Sequence, residues 1–158
     1  MRSVRAAEAP TFTLPGFLFT GLTAPSRGSS EICTWFLDIS ANASSGEPHW
    51  LNHEEVFVLL NGMLRFIVDG EEAILTAGDA VAIPPRARLQ LFNDTDTPSR
   101  ALVCVPAGMQ AFNNEVAIGT PPCQSISIDF FVLARVESVV TTSRVAVSIT
   151  SPESPTYT

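Results

Sequence analysis

Short apolar runs separated by turn residues fill the stretch from residue 31 to residue 107. The runs are rich in β-branched and aromatic residues, and neither a long helical pattern nor an internal repeat interrupts them. Strands at this spacing predict an all-β sandwich or barrel. The predicted strands are residues 31–40, 55–60, 63–68, 72–76, 80–83, 87–93 and 101–105.

Two dipeptides between these runs are signals for tight hairpins. Asn61-Gly62 follows the run 55–60, and Asp69-Gly70 follows the run 63–68. A type I′ turn needs a positive φ at both central residues, which Asn, Asp and Gly adopt most easily. The sequence therefore predicts a hairpin at each dipeptide.

Length and charge limit the classes of function. A chain of 158 residues favours one domain with a core large enough to need no disulfide or structural metal. Sixteen acidic residues against nine basic ones give a net charge of −7, so nucleic acids and anionic membrane surfaces are poor partners. No run reaches the ~18 apolar residues of a membrane-spanning helix. The N-terminus lacks the pattern of a signal peptide, so we expect a soluble, cytoplasmic protein.

The ends of the chain differ from its centre. Residues 1–29 predict an N-terminal arm with one short strand near residues 17–20, and residues 30–107 predict the β-barrel core. Residues 108–158 form a C-terminal extension whose structure the sequence leaves open: 129–140 fits a helix or a strand, 144–150 fits a strand, and 151–158 are polar and expected to fray. The odd number of cysteines at wide spacing predicts buried free thiols rather than a disulfide framework: Cys33, Cys104 and Cys123.

Both histidines and two acidic residues lie within positions 49–55. These residue types bind divalent metals or transfer protons. Glu55 occupies the inward phase of an apolar strand, where an acid needs either a function or a structural hydrogen bond. Glu54 is expected to face solvent.

Two segments of the chain resemble the signature motifs of the cupin family. The resemblance covers about residues 31–107 and implies a double-stranded β-helix, the jelly-roll barrel of that family. Cupins are commonly homodimers, so it also implies a dimer. The matching residues are His49, Glu55 and Gly62 for the first motif and Gly78, Pro84 and Asn93 for the second.

Departures from the family pattern fall on its metal site. Leu51 and Leu89 stand where the resemblance implies two histidine ligands, and Arg86 stands where a Gly is usual. The residues therefore favour no tightly bound metal. The alternative is a Zn, Fe or Mn ion held by His49, His53 and Glu55. That site requires a sharp bend, because four extended residues span ~13 Å.

Three functions follow from these observations. The first is a cyclase- or isomerase-type enzyme that binds a small organic molecule and uses Glu55 and His49 as acid and base. The second is a metal-dependent dioxygenase or decarboxylase, and the third is a non-catalytic small-molecule-binding barrel.

Asn93 also fits a turn hydrogen-bonding role, and Arg86 fits a solvated charge at the barrel rim. The expected pocket residues are Trp35, Leu51, Phe57, Phe66, Arg86, Leu89 and Asn93.

Overall fold

The computed structural model describes residues 2–119, and β-strands dominate that range. Short 3-10 turns occur at Ala6–Glu8 and Pro25–Arg27, and no helix among these residues is long and apolar enough to cross a membrane. The thirteen strands are β1 (Thr11–Leu14), β2 (Phe17–Thr23), β3 (Ile32–Ile39), β4 (Ala43–Ser44), β5 (Trp50–Leu51), β6 (Glu55–Asn61), β7 (Met63–Val68), β8 (Glu71–Thr76), β9 (Ala80–Ile83), β10 (Leu89–Asn93), β11 (Ser99–Pro106), β12 (Ala111–Asn113) and β13 (Val116–Gly119).

Two antiparallel sheets form a jelly roll. The six-stranded sheet has the order β1-β2-β3-β11-β6-β9, and the four-stranded sheet has the order β4-β10-β7-β8. From β3 to β11 the chain passes repeatedly from one sheet to the other, as in other double-sheet jelly rolls. A third sheet, β13-β12-β5, joins β10 through a bridge between His49 and Leu89. The predicted all-β jelly roll is confirmed.

The core lies between the inner faces of the two larger sheets. Along β3, β6 and β11 the side chains alternate between buried and more exposed positions, as one covered face of a sheet requires. Trp35 pairs with Val103, which pairs with Phe57, so one buried row crosses all three strands. The Phe57 ring meets the edge of the Phe66 ring from β7 at a centroid distance of 5.2 Å, which joins the two sheets.

Each of the seven runs predicted as strands between residues 31 and 107 is a strand, within two residues at each end. The sequence missed β1, β4, β5, β12 and β13. Of these, β4, β5 and β12 have only two or three residues, too few for an alternating pattern. The strand predicted near residues 17–20 is β2. It pairs with β3, so residues 11–23 extend the six-stranded sheet.

The cysteine predictions have mixed outcomes. Cys33 is a buried thiol, as predicted. The prediction is wrong for Cys104, which is free but half-buried because it occupies the outward phase of β11. Cys123 and the predictions for residues 129–140, 144–150 and 151–158 lie outside the described residues.

One predicted hairpin is correct and the other is wrong. Asp69 and Gly70 have φ angles of 49° and 87°, and they connect β7 to β8 as a hairpin. In contrast, β6 pairs with β9 and β11, whereas β7 pairs with β8 and β10, so Asn61-Gly62 is a corner between sheets. The dipeptide signal identifies a left-handed residue, here Gly62 at a φ of 85°. It does not determine which strands pair.

Ser99 fixes this corner. Its hydroxyl donates to the Met63 carbonyl (3.0 Å) and accepts from the Met63 amide (3.2 Å). A Cβ added at Gly62 would overlap the Ser99 side chain. Gly62 is therefore required both for its positive φ and for the close approach of Ser99.

We expect Gly62→Ala to destabilise the protein more than Gly70→Ala. Both glycines have nearly the same φ, but nothing lies within 4 Å of a Cβ added at Gly70. Gly70→Ala should cost about 1–2 kcal/mol for the left-handed backbone alone. Gly62→Ala should cost about 1–3 kcal/mol more because of the overlap with Ser99. Urea denaturation of the two full-length variants measures the difference, and equal losses would contradict the role assigned to Ser99.

Candidate functional site

The two cupin-like motifs meet at the bridge between His49 and Leu89. The His49 amide donates to the Leu89 carbonyl (3.1 Å), and the Leu89 amide donates to the His49 carbonyl (2.8 Å). Residues directly opposite each other in an antiparallel pair project from the same face. Because Leu89 is buried, His49 faces the interior beside it, and Leu51 follows on the same face two residues later.

Glu55 reaches the interior from β6. It pairs with Ile83 of β9, lies on the inner face with Phe57, and is only 6% exposed. Burial raises the pKa of its carboxyl to about 8. Within residues 2–119, no hydrogen bond or ion pair engages this carboxyl, so the described residues do not supply the structural hydrogen bond that was the alternative.

The protonation state of His49 complements that of Glu55. Burial lowers the pKa of the His49 imidazole below its ordinary value, so the ring is neutral at neutral pH. The two residues flank one chain segment, residues 83–89: its first residue pairs with Glu55, and its last bridges to His49. A protonated carboxyl and a neutral imidazole together offer one proton donor and one proton acceptor.

The predicted apolar pocket residues all belong to one buried cluster. It includes Trp35, Leu51, Phe57, Phe66 and Leu89, each at most 7% exposed. Trp35 has a feature that the sequence did not indicate, because its buried indole nitrogen Nε1 has no hydrogen-bond partner in the described part of the chain. The sequence predicted Trp35 only as a pocket residue.

The donor set does not fit the metal site of the family. No three His, Cys, Asp or Glu side chains within residues 2–119 are grouped closely enough to hold an ion. The chain does bend at Asn52 and His53, where the Asn52 amide donates to the Gln110 carbonyl (3.1 Å). His53 is nevertheless exposed, so the bend does not assemble His49, His53 and Glu55 into a triad. Leu51 and Leu89, at the two positions where the resemblance implies histidine ligands, offer no atom that binds a metal ion.

Asn93 is a hydrogen-bonding residue at a turn and not a pocket residue with polar atoms available to a ligand. Its amide nitrogen donates to the carbonyls of Ile39, Ser40 and Thr97 at 2.9–3.2 Å. Its Oδ1 accepts from the amide and the hydroxyl of Thr95 at 3.1 and 2.7 Å. All of its polar atoms are occupied, so Asn93 connects the end of β10 to the end of β3.

Arg86 lies outside the apolar interior. It is exposed and has a φ of 68°, in the left-handed region where the family pattern has Gly. Its guanidinium is 5.6 Å from the centroid of the Trp50 ring, which stacks on Phe112 at 4.1 Å. Trp50 and Leu51 are neighbours on a strand and project to opposite faces, so this stack lies behind the strand that carries Leu51. The sequence did not point to Trp50 or Phe112.

Comparison with known proteins identifies the class of this domain. Residues 35–105 match the family model for the cupin domain. These residues are therefore a cupin domain, and the jelly-roll fold around them agrees with that assignment. No curated protein sequence matches the chain.

Solved structures with the same fold include proteins of different kinds. The polyketide cyclase RemF from Streptomyces resistomycificus is 19% identical, with a TM-score of 0.63 over 73% of this chain and 87% of its own. A sugar phosphate isomerase from Silicibacter pomeroyi is 23% identical, with a TM-score of 0.54 over 65% and 68%. KdgF from a Halomonas species is 16% identical, with a TM-score of 0.57 over 67% and 92%. These similarities establish the fold.

Replacing Asn93 by Asp should destabilise the protein by about 2–3 kcal/mol, because a buried carboxylate cannot donate to three carbonyls. Asn61→Asp is the matched control, since Asn61 is exposed at the end of β6 and its replacement should cost little. Urea denaturation at neutral pH measures both. A similar loss in the two variants would show that the buried hydrogen bonds of Asn93 contribute little.

The buried carboxyl of Glu55 should make stability fall as the pH rises. In the unfolded chain this group ionises near its ordinary pKa of 4.5, whereas in the folded protein it keeps its proton up to about 8. Between these values the folded state binds the extra proton, so stability decreases by roughly 1.4 kcal/mol per pH unit.

Urea denaturation at several pH values between 5 and 8 tests this expectation. The difference in unfolding free energy between Glu55→Gln and the wild type should grow with pH across that range. Glu54→Gln, at the adjacent exposed position, should follow the wild type in parallel. Parallel curves for all three proteins would show that Glu55 ionises normally.

Proposed function

We propose that this chain is a cyclase- or isomerase-type enzyme that moves protons on a small organic substrate inside the barrel. Glu55 is the principal acid and base, and His49 assists it. One observation carries the proposal: a carboxyl lies buried on an apolar inner face, with its pKa raised to about 8 and no partner within residues 2–119. Such an isolated acid is costly to the fold and is typical of sites where proton transfer occurs.

The raised pKa suits Glu55 to both directions of proton transfer. At pH 7 about one Glu55 in ten is ionised, and this carboxylate is a stronger base than an ordinary one. The protonated majority can donate a proton to a substrate oxygen. Isomerisation, dehydration and ring closure each require a proton to be removed from one substrate atom and delivered to another.

Neutral His49 supplies the complementary group. Its unprotonated ring nitrogen can accept a proton while Glu55 donates one, and its N–H can return a proton at a second atom. Leu51 and Leu89 lie on the same inner face as His49, and burial shifts the pKa of His49 and of Glu55. This chemistry needs no metal ion, in keeping with the leucines at the two altered ligand positions.

Proteins of related fold support the reaction class in a general way. A polyketide cyclase and a sugar phosphate isomerase are among the solved structures that this chain resembles. The cupin barrel therefore accommodates both ring-closing and isomerising enzymes.

We further propose that the chain acts as a homodimer in the cytoplasm.

Exchange of the α-hydrogens of 1-tetralone in D2O, followed by proton NMR, tests the proposed chemistry with a simple ketone. Wild-type protein should accelerate the exchange, and Glu55→Gln should lose that acceleration by about 100-fold or more. Glu54→Gln should retain it. Because the base form of Glu55 is required, the rate should rise with pH and level off above about 8.

The same assay separates the alternatives. Acceleration that survives dialysis against EDTA supports proton transfer by the side chains alone, whereas loss of activity with EDTA and recovery with Zn, Fe or Mn would favour a metalloenzyme. Binding of 1-tetralone without any exchange would contradict the proposal and favour a non-catalytic binding barrel. Equal activity in Glu55→Gln and wild type would remove Glu55 from the mechanism.

A further inference from the structure

Trp35 carries a buried hydrogen-bond donor that the proposed acid–base pair does not use. The residue is 3% exposed, and its Nε1 has no partner within residues 2–119. Indole N–H groups usually find a partner when buried, because water is no longer available to them. A bound ligand with a hydrogen-bond acceptor is one way to supply that partner.

The sheet places Trp35 on the same inner face as Glu55. Trp35 pairs with Val103 of β11, Val103 pairs with Phe57 of β6, and Glu55 lies two residues before Phe57. With strands ~4.8 Å apart and ~3.4 Å of rise per residue, the Cα atoms of Trp35 and Glu55 are roughly 12 Å apart. The strand between them contributes small side chains to this face: Ala101, Val103 and Val105.

Apart from His49, the rest of this inner surface is apolar or already bonded. The inward positions of β3, β6, β7, β10 and β11 carry no Arg, and their polar residues Asn93 and Ser99 are held by hydrogen bonds. Arg27, in the turn after β2, lies beside Gly21 of that strand. Its Nε donates to the Leu22 carbonyl (3.3 Å). An anionic group on these strands would lose its hydration without gaining a cation.

We propose that Trp35 Nε1 binds an oxygen of the substrate at a second point, separate from the atoms on which Glu55 acts. The substrate is then an uncharged, largely apolar molecule with at least one hydrogen-bond-accepting oxygen, such as a polycyclic or chain-like ketone, rather than a sugar phosphate. This inference rests on the proposed function, which it deepens by naming the substrate class. Trp35 binds and positions the substrate, and Glu55 transfers the proton.

The experiment uses the full-length chain, labelled with nitrogen-15, and two probes of similar shape. 1-Tetralone has a carbonyl acceptor, and tetralin has none. The chain contains two tryptophans, so two indole N–H signals are expected, and Trp50→Phe assigns them. On addition of 1-tetralone the Trp35 signal should move downfield, and on addition of tetralin it should not.

Affinity measurements complete the test. Trp35→Phe should weaken 1-tetralone binding by roughly three- to tenfold, the range of one hydrogen bond, and should leave tetralin binding unchanged. The tetralin value serves as the control for the shape of the pocket in this variant. Equal weakening of both probes, an unmoved Trp35 signal, or tighter binding of glucose 6-phosphate than of 1-tetralone would overturn the inference.

Failure of the proposed function is distinguishable from failure of this inference. Glu55→Gln should retain both 1-tetralone binding and the Trp35 shift even though it loses proton exchange. If the wild-type protein shows the Trp35 shift but no exchange, the Trp35 contact holds and the catalytic proposal fails. If exchange occurs without the Trp35 shift, the catalytic proposal holds and this inference fails.

Discussion

The position of β11 between β3 and β6 determines where the polar groups of the interior lie. Its hydrogen-bonded register sets Trp35, Val103 and Phe57 in one row, and the two-residue period of β6 then brings Glu55 to the same face. A shift of one residue in either pairing would turn these side chains outward. The candidate site therefore depends on strand register as much as on the identity of its residues.

The fold could be predicted largely from the sequence, because alternation and turn residues are local signals. Such a signal marks each strand from β6 to β11, and the turn residues Asp69-Gly70 mark the hairpin between β7 and β8. The corner at Gly62 could not be foreseen, because the choice between a hairpin and a crossing depends on which strands pair. The shortest strands could not be predicted for a different reason, because two or three residues are too few to show an alternating pattern.

The candidate site was predictable only in part. Glu55 stood out as an acid at an inward strand position, and the structure places it there. The unpaired nitrogen of Trp35 could not be predicted, because the lack of a partner is a property of the assembled interior. The contact of Arg86 with Trp50 and the stack of Trp50 on Phe112 likewise join residues from three separate segments of the chain.

The left-handed backbone at Arg86 links the two halves of the candidate site. A residue with a Cβ holds such a φ at an energetic cost, here offset by the ring contact with Trp50 and by the amide hydrogen bond to the Leu51 carbonyl (2.8 Å). The ring contact and the hydrogen bond hold the loop between β9 and β10 against the strand that carries Leu51. Because this loop joins Ile83, the partner of Glu55, to Leu89, the partner of His49, a change in its conformation would alter the surroundings of both groups.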